Sequence, residues 1–121
     1  MKIAIGSDHG GFKLKAVIRE YLEGKGHSVI DMGTHSEDSC DYPEYGEQVA
    51  RKVVSGDADR GVLICGTGIG MSLTANKVAG VRAALCTNEY MAKMARAHNN
   101  ANILVMGERV IEEIAYALGK D

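Results

Sequence analysis

The sequence has no tryptophan, one proline and one phenylalanine, and no apolar run near the roughly 20 residues of a membrane-spanning helix. No membrane partner is therefore expected. The amino-terminal apolar run, Met1-Lys2-Ile3-Ala4-Ile5-Gly6, is too short for a signal peptide and reads as a strand, so cytoplasmic residence is expected. Charge of one sign is also lacking. Fourteen Lys and Arg stand against 16 Asp and Glu, a net charge of −2, which argues against nucleic acid as a bulk partner. Cysteines number 3, at the scattered positions Cys40, Cys65 and Cys86. An odd count excludes a full disulfide framework and fits a reducing compartment. No C-x-x-C or H-x₃-H pattern offers a structural zinc site. Glycine is what the chain has in quantity, 15 residues in 121, as expected of tight loops where backbone approaches a ligand. The length suits one domain with a real core.

The most informative stretch is Gly61–Ser72, GVLICGTGIGMS. Its apolar run, Val62-Leu63-Ile64-Cys65, reads as a buried parallel strand. Gly66, Gly68 and Gly70 then form a turn into a helix. Such a turn leaves backbone N–H groups uncovered at a helix N-terminus, which with the helix dipole favour an anion or a developing oxyanion. Cys65 stands at the mouth of that turn. A thiol beside a helix N-terminus is favoured as thiolate, so a base or nucleophile and an oxyanion hole adjoin in sequence. The bland alternative is that Cys65 is a small core residue.

Around this stretch, strand and helix patterns alternate five times. The strands are expected over Lys2–Ile5, His27–Met32, Gly61–Cys65, Val81–Cys86 and Asn102–Met106. Leu14, Val17, Ile18, Tyr21 and Leu22 recur as one apolar face of the first helix, and Lys13, Lys15, Arg19, Glu20 and Glu23 read as its solvated face. Pro43 opens a second helix running to about Val54. Further helices are expected from Ile69 to Lys77, from Asn88 to Ala97 and from Glu108 to Leu118. This pattern predicts an α/β protein: a three-layer α/β/α, Rossmann-like domain with a five-stranded parallel sheet, spanning residues 1–121. Ligands in such folds bind beyond the carboxyl ends of the strands. Ser7-Asp8-His9, Cys65–Gly70 and His98-Asn99-Asn100 are expected to converge there.

Two nucleotide motifs fail on inspection. The first loop resembles a P-loop but has Phe12 where lysine belongs, and Gly66-Thr67-Gly68-Ile69-Gly70-Met71 has Met71 in place of the last Gly or Ala of a dinucleotide fingerprint. Asp8 and His9 read either as helix caps or as ligand contacts. His98 reads either as an ordinary residue near a helix end or as a general acid–base. Arg82 and Arg109 stand near strand ends and read as phosphate contacts or as solvated surface arginines.

The stretches IGSDHGGFKLK (5–15), DYPEYG (41–46), GVLICGTGIGMSLTANK (61–77), VRAAL (81–85) and ARAHNNANILVMGER (95–109) together closely resemble the ribose-5-phosphate isomerase B family, with its galactose-6-phosphate and allose-6-phosphate isomerase relatives. The resemblance implies an aldose–ketose isomerase acting through an enediolate. Cys65 would move a proton between C1 and C2 of the sugar. Thr67, with the backbone of Gly66, Gly68 and Gly70, would stabilise the enediolate, and His98 would assist ring opening. Asp8, Tyr42 and Asn99 would hold sugar hydroxyls, and His9 with Arg109 would contact the phosphate. It implies no metal or organic cofactor, and a homodimer or homotetramer with shared active sites, in which His98 and Asn99 serve the partner. Members of the family usually continue into an arginine-bearing tail, whereas this sequence ends at Leu118-Gly119-Lys120-Asp121, a tail read as shortened. A hexose-6-phosphate isomerase and a non-catalytic sugar-phosphate or nucleotide-binding module remain open as alternatives.

Overall fold

A computed structural model of the chain describes residues 1–36, 38 and 42–111. Five short runs rich in Ile, Val, Leu and Ala form strands: β1 (Lys2–Ser7), β2 (Ser28–Asp31), β3 (Arg60–Cys65), β4 (Ala83–Leu85) and β5 (Ile103–Gly107). Helices α1 (Phe12–Gly24), α2 (Tyr42–Val54), α3 (Ile69–Asn76) and α4 (Glu89–Asn99) alternate with them. A 3-10 turn, His9–Gly11, precedes α1, and helical backbone resumes over 108–111. The remainder of the expected last helix, like Cys40, lies outside the described residues.

All strands pair in parallel, in the order β2-β1-β3-β5-β4. Because side chains alternate across a strand, each strand feeds two cores. Ile3, Ile5, Val62 and Ile64 lie on one face under Leu14, Ile18 and Leu22 of α1. Ala4, Leu63, Cys65, Ile103 and Val105 lie on the other, against Val49, Ala50 and Val53 of α2 and Met71 and Ala75 of α3. Burying one Ile or Leu contributes about 1.5–3 kcal/mol, whereas an exposed i,i+4 ion pair such as Arg51–Glu47 contributes at most about 1 kcal/mol. The two cores therefore hold the sheet.

The structure corrects three local expectations. In α1 only Leu14, Ile18 and Leu22 reach the core, while Val17 and Tyr21 are exposed. Lys15, expected in solvent, is instead 2% exposed. Its ammonium bonds the Asp31 carboxylate at 2.8 Å and the Thr34 carbonyl, partners that offset its desolvation. The fourth strand is shorter than Val81–Cys86. At its amino end, Asn102 Oδ1 stands in for a ladder carbonyl and accepts from Arg82 N–H at 2.8 Å, while on the outer side Asn76 both accepts from Ala83 N–H at 2.9 Å and donates to Ala83 O at 3.0 Å.

Candidate active site

The chain leaves β1 toward β2 on one side of the sheet, and leaves β3 toward β5 and β4 on the other. Strand order thus reverses between β1 and β3, and the crevice beyond their carboxyl ends is where such folds bind ligands. The two exits are tied by a bond from Asp8 N–H to Ile64 O at 3.3 Å.

Cys65 closes β3 on the face that packs against α2 and α3, and is 5% exposed. It is thus a core residue, but its Sγ also accepts a hydrogen bond from Gly68 N–H at 3.1 Å. That bond depends on the turn. Gly68 is the N-cap residue of α3 at φ 84°, a left-handed conformation, and a Cβ there would stand 2.4 Å from Leu85 Cδ1. Thr67 Oγ1 accepts from Ile69 N–H at 3.2 Å and keeps its own hydrogen to donate. The helical ladder starts with Ser72 N–H to Gly68 O. The N–H groups of Gly70 and Met71 have no hydrogen-bond partner among the described residues. A sulfur held by one amide, two unpaired amides and a hydroxyl therefore share one helix N-terminus, an arrangement suited to a base beside a developing oxyanion.

Arg109 enters from the exit of β5. Its N–H donates to Gly66 O at 3.0 Å, and a Cβ on Gly66 would stand 3.6 Å from its Cζ and Nη1. The approach is close because Gly107 has no side chain: a Cβ there would meet Thr67 C and O at 2.5 Å. An exposed guanidinium thus lies at the rim of the glycine turn. Asp8 is half-buried and its Oδ1 caps the 3-10 turn, accepting from Gly10 N–H at 2.9 Å. The capping role is real, and it leaves the second carboxylate oxygen for a ligand. His9 is exposed and opens that turn. Tyr42 is the first residue of α2, and its side chain lies outside the described residues.

His98 and Asn99 do not join this crevice. They form the last turn of α4 rather than a loop, with Asn100 as a left-handed C-cap at φ 52°. Since α4 runs back from β4 to the start of β5, its end lies at the amino edge of the sheet. There Arg82 Nε donates to Asn99 O at 2.7 Å, and Arg96 donates to Asn100 Oδ1 at 2.7 Å and to the Ala101 carbonyl. The expected convergence of three loops in one chain is therefore corrected to two, joined by the exit of β5 that carries Arg109. Arg82 likewise belongs to the amino edge, away from the glycine turn.

Two further side chains were not foreseen. Glu108 Oε1 accepts from Leu14 N–H at 2.6 Å, bridging 94 residues. Asp31 takes bonds from Lys15 and from Gly33 N–H at 2.9 Å. Burial alone would raise its pKa, but the Lys15 and Gly33 hydrogen bonds and the charges of Lys15 and His35 hold it below the ordinary carboxylate value. Cys86, by contrast, is pushed up by burial, which keeps it a neutral thiol. Among the described residues no three His, Cys, Asp or Glu side chains gather to hold a metal ion, and no helix is long and apolar enough to cross a membrane.

Residues 3–118 match the family described as Ribose/Galactose Isomerase. Ribose-5-phosphate isomerase B of Escherichia coli is 51% identical over 110 residues, 91% of this chain and 74% of that protein. A solved structure of Clostridium thermocellum ribose-5-phosphate isomerase B superposes with a TM-score of 0.91 at 55% identity, covering 98% of this chain and 82% of the other. Ribose-5-phosphate isomerase B of Mycoplasma genitalium, solved with bound ribulose 5-phosphate, superposes with a TM-score of 0.86 at 42% identity over 99% of this chain and 84% of the other.

Proposed function

We propose that this chain, which belongs to the ribose/galactose isomerase family, interconverts ribose 5-phosphate and ribulose 5-phosphate through an enediolate. The observation that carries the reading is the Gly68 N–H bond to Cys65 Sγ at 3.1 Å, at a helix N-terminus with two amides unpaired among the described residues. The ligand of the Mycoplasma relative supports the choice of a pentose phosphate.

Cys65, as thiolate, takes the proton from C2 of the open-chain aldose. The C–H electron pair forms the C1–C2 double bond, and negative charge falls on O1. The amides of Gly70 and Met71 and the Thr67 hydroxyl receive that charge. Return of the proton at C1, with passage of the O2 proton to O1, gives the ketose. No redox partner is needed, since C1 is reduced as C2 is oxidised. Asp8 and Tyr42 hold sugar hydroxyls, and His9 and Arg109 meet the phosphate, whose remote binding energy fixes the sugar for proton transfer. His98, for ring opening, and Asn99 come from a second copy of the chain, consistent with their place at the opposite edge of the sheet.

Proton exchange tests the reading. Incubation with ribose 5-phosphate in D₂O is expected to yield ketose with deuterium at C1 and to put deuterium at C2 of the recovered aldose, while Cys65→Ala loses about 10²–10⁴-fold in rate. Equal exchange and ketose in both chains would remove Cys65 as the base. Binding of ribose 5-phosphate without exchange in the parent chain would favour the non-catalytic module instead.

A further inference from the structure

α1 begins without a cap of its own. Its N-cap residue, Gly11, has no side chain to offer, and its first turn carries no acidic residue. The Leu14 N–H in that turn is nonetheless satisfied, by Glu108 Oε1 at 2.6 Å. A carboxylate is favoured there both as a charged acceptor and by the helix dipole.

Glu108 is the first residue after β5, and Arg109 is the next. The Glu108 side chain fastens the β5 exit to α1, which follows β1. The Arg109 N–H fastens the same exit to Gly66, which follows β3. These two ties act on adjacent residues and fix where the Arg109 side chain departs. Its guanidinium then lies beside Gly66 although the residue is exposed.

We propose that Glu108 is a positioning residue for Arg109: by capping α1 from across the fold, it aims the guanidinium at the place where the substrate's phosphate arrives. This rests on the functional reading above, in which Arg109 meets the phosphate. A second consequence follows. The first turn of α1 already serves an internal carboxylate, so the phosphate charge falls to side chains instead. That agrees with the missing P-loop lysine at Phe12.

The test is steady-state kinetics with ribose 5-phosphate on the parent chain, Glu108→Ala, Glu108→Gln, Arg109→Ala and the Glu108→Ala/Arg109→Ala pair, with Tm measured for each. Glu108→Ala is expected to raise KM about tenfold with kcat within about twofold. Glu108→Gln, whose amide oxygen accepts the same N–H, should stay within about threefold of the parent KM. The double variant should match Arg109→Ala, because an unaimed arginine has nothing further to lose. A lower Tm with unchanged KM in Glu108→Ala would make Glu108 a helix cap alone and overturn the proposal, as would additive effects in the double variant. If Glu108→Ala does not fold, Glu108→Asp, which keeps the charge and shortens the reach, carries the same comparison, and an unchanged KM overturns the proposal. If Arg109→Ala leaves KM unchanged in an active parent, the phosphate role of Arg109 fails and Glu108 falls with it. If the parent shows no turnover, calorimetry with inorganic phosphate decides: binding weakened about tenfold in Glu108→Ala upholds the positioning role without the reaction, and binding unchanged or absent rejects it.

Discussion

At the scale of single residues, two glycines of one turn have different duties. Gly68 needs its positive φ and has no space for a Cβ, whereas Gly66 has ordinary backbone and room beside Arg109. Gly68→Ala is expected to cost about 1–3 kcal/mol and to lower Tm by several degrees. Gly66→Ala should melt within about 2 °C of the parent. A thermal scan of both checks the contrast, and equal Tm losses would show that the turn is not confined as described. Cys65 itself shows how far composition carries. Its place at a strand end before a glycine turn was legible from Gly61–Ser72, because alternating glycines after an apolar run have few other uses. Its sulfur is also packed in the core, so burial and a place at the glycine turn coexist in one residue.

At the scale of elements, the Lys15–Asp31 pair joins α1 to the end of β2, and Lys15 also bonds Thr34. The Thr34 N–H in turn donates to Ser7 O at 2.7 Å, immediately before Asp8. The folded state holds the Asp31 pKa below its unfolded value, so the pair's contribution is full above pH about 4 and is lost as pH falls through the lower, folded value. Tm of the parent is expected to fall across that acid window more steeply than Tm of Asp31→Asn, which has no carboxylate to protonate. Parallel slopes would remove the pair from the acid response. Periodicity could not reveal this contact. Lys15 stands at a polar position of a helix, and its partner lies 16 residues away on another element. Glu108, paired across 94 residues, was hidden for the same reason. The misplacing of His98–Asn100 differs, because the signal was present: a connection from helix to strand lies at the amino end of a parallel sheet. Strand boundaries are less legible, since Asn102 ends β4 at Arg82 through a side chain that propensity does not weigh.

At the scale of the whole molecule, the division of candidate groups between the two ends of the sheet makes a prediction about assembly. If His98 of one copy serves Cys65 of another across a two-fold axis, Cys65→Ala and His98→Ala damage different halves of each shared site. Each variant alone should be nearly inactive. Refolded together in equal amounts, they should recover about a quarter of parent activity, since half of the dimers are mixed and each mixed dimer keeps one intact site. No recovery would mean that each chain works alone. One detail of the sheet bears on how such copies can meet. Asn76 occupies both backbone groups of Ala83 on the outer side of β4, a strand of only three residues. Two of the outward backbone valences of this short border are therefore spent inside the chain, which shortens the template on which a neighbour could lay a sixth strand. Growth of the sheet from copy to copy, the route to fibres, meets one amide where the first rung would form.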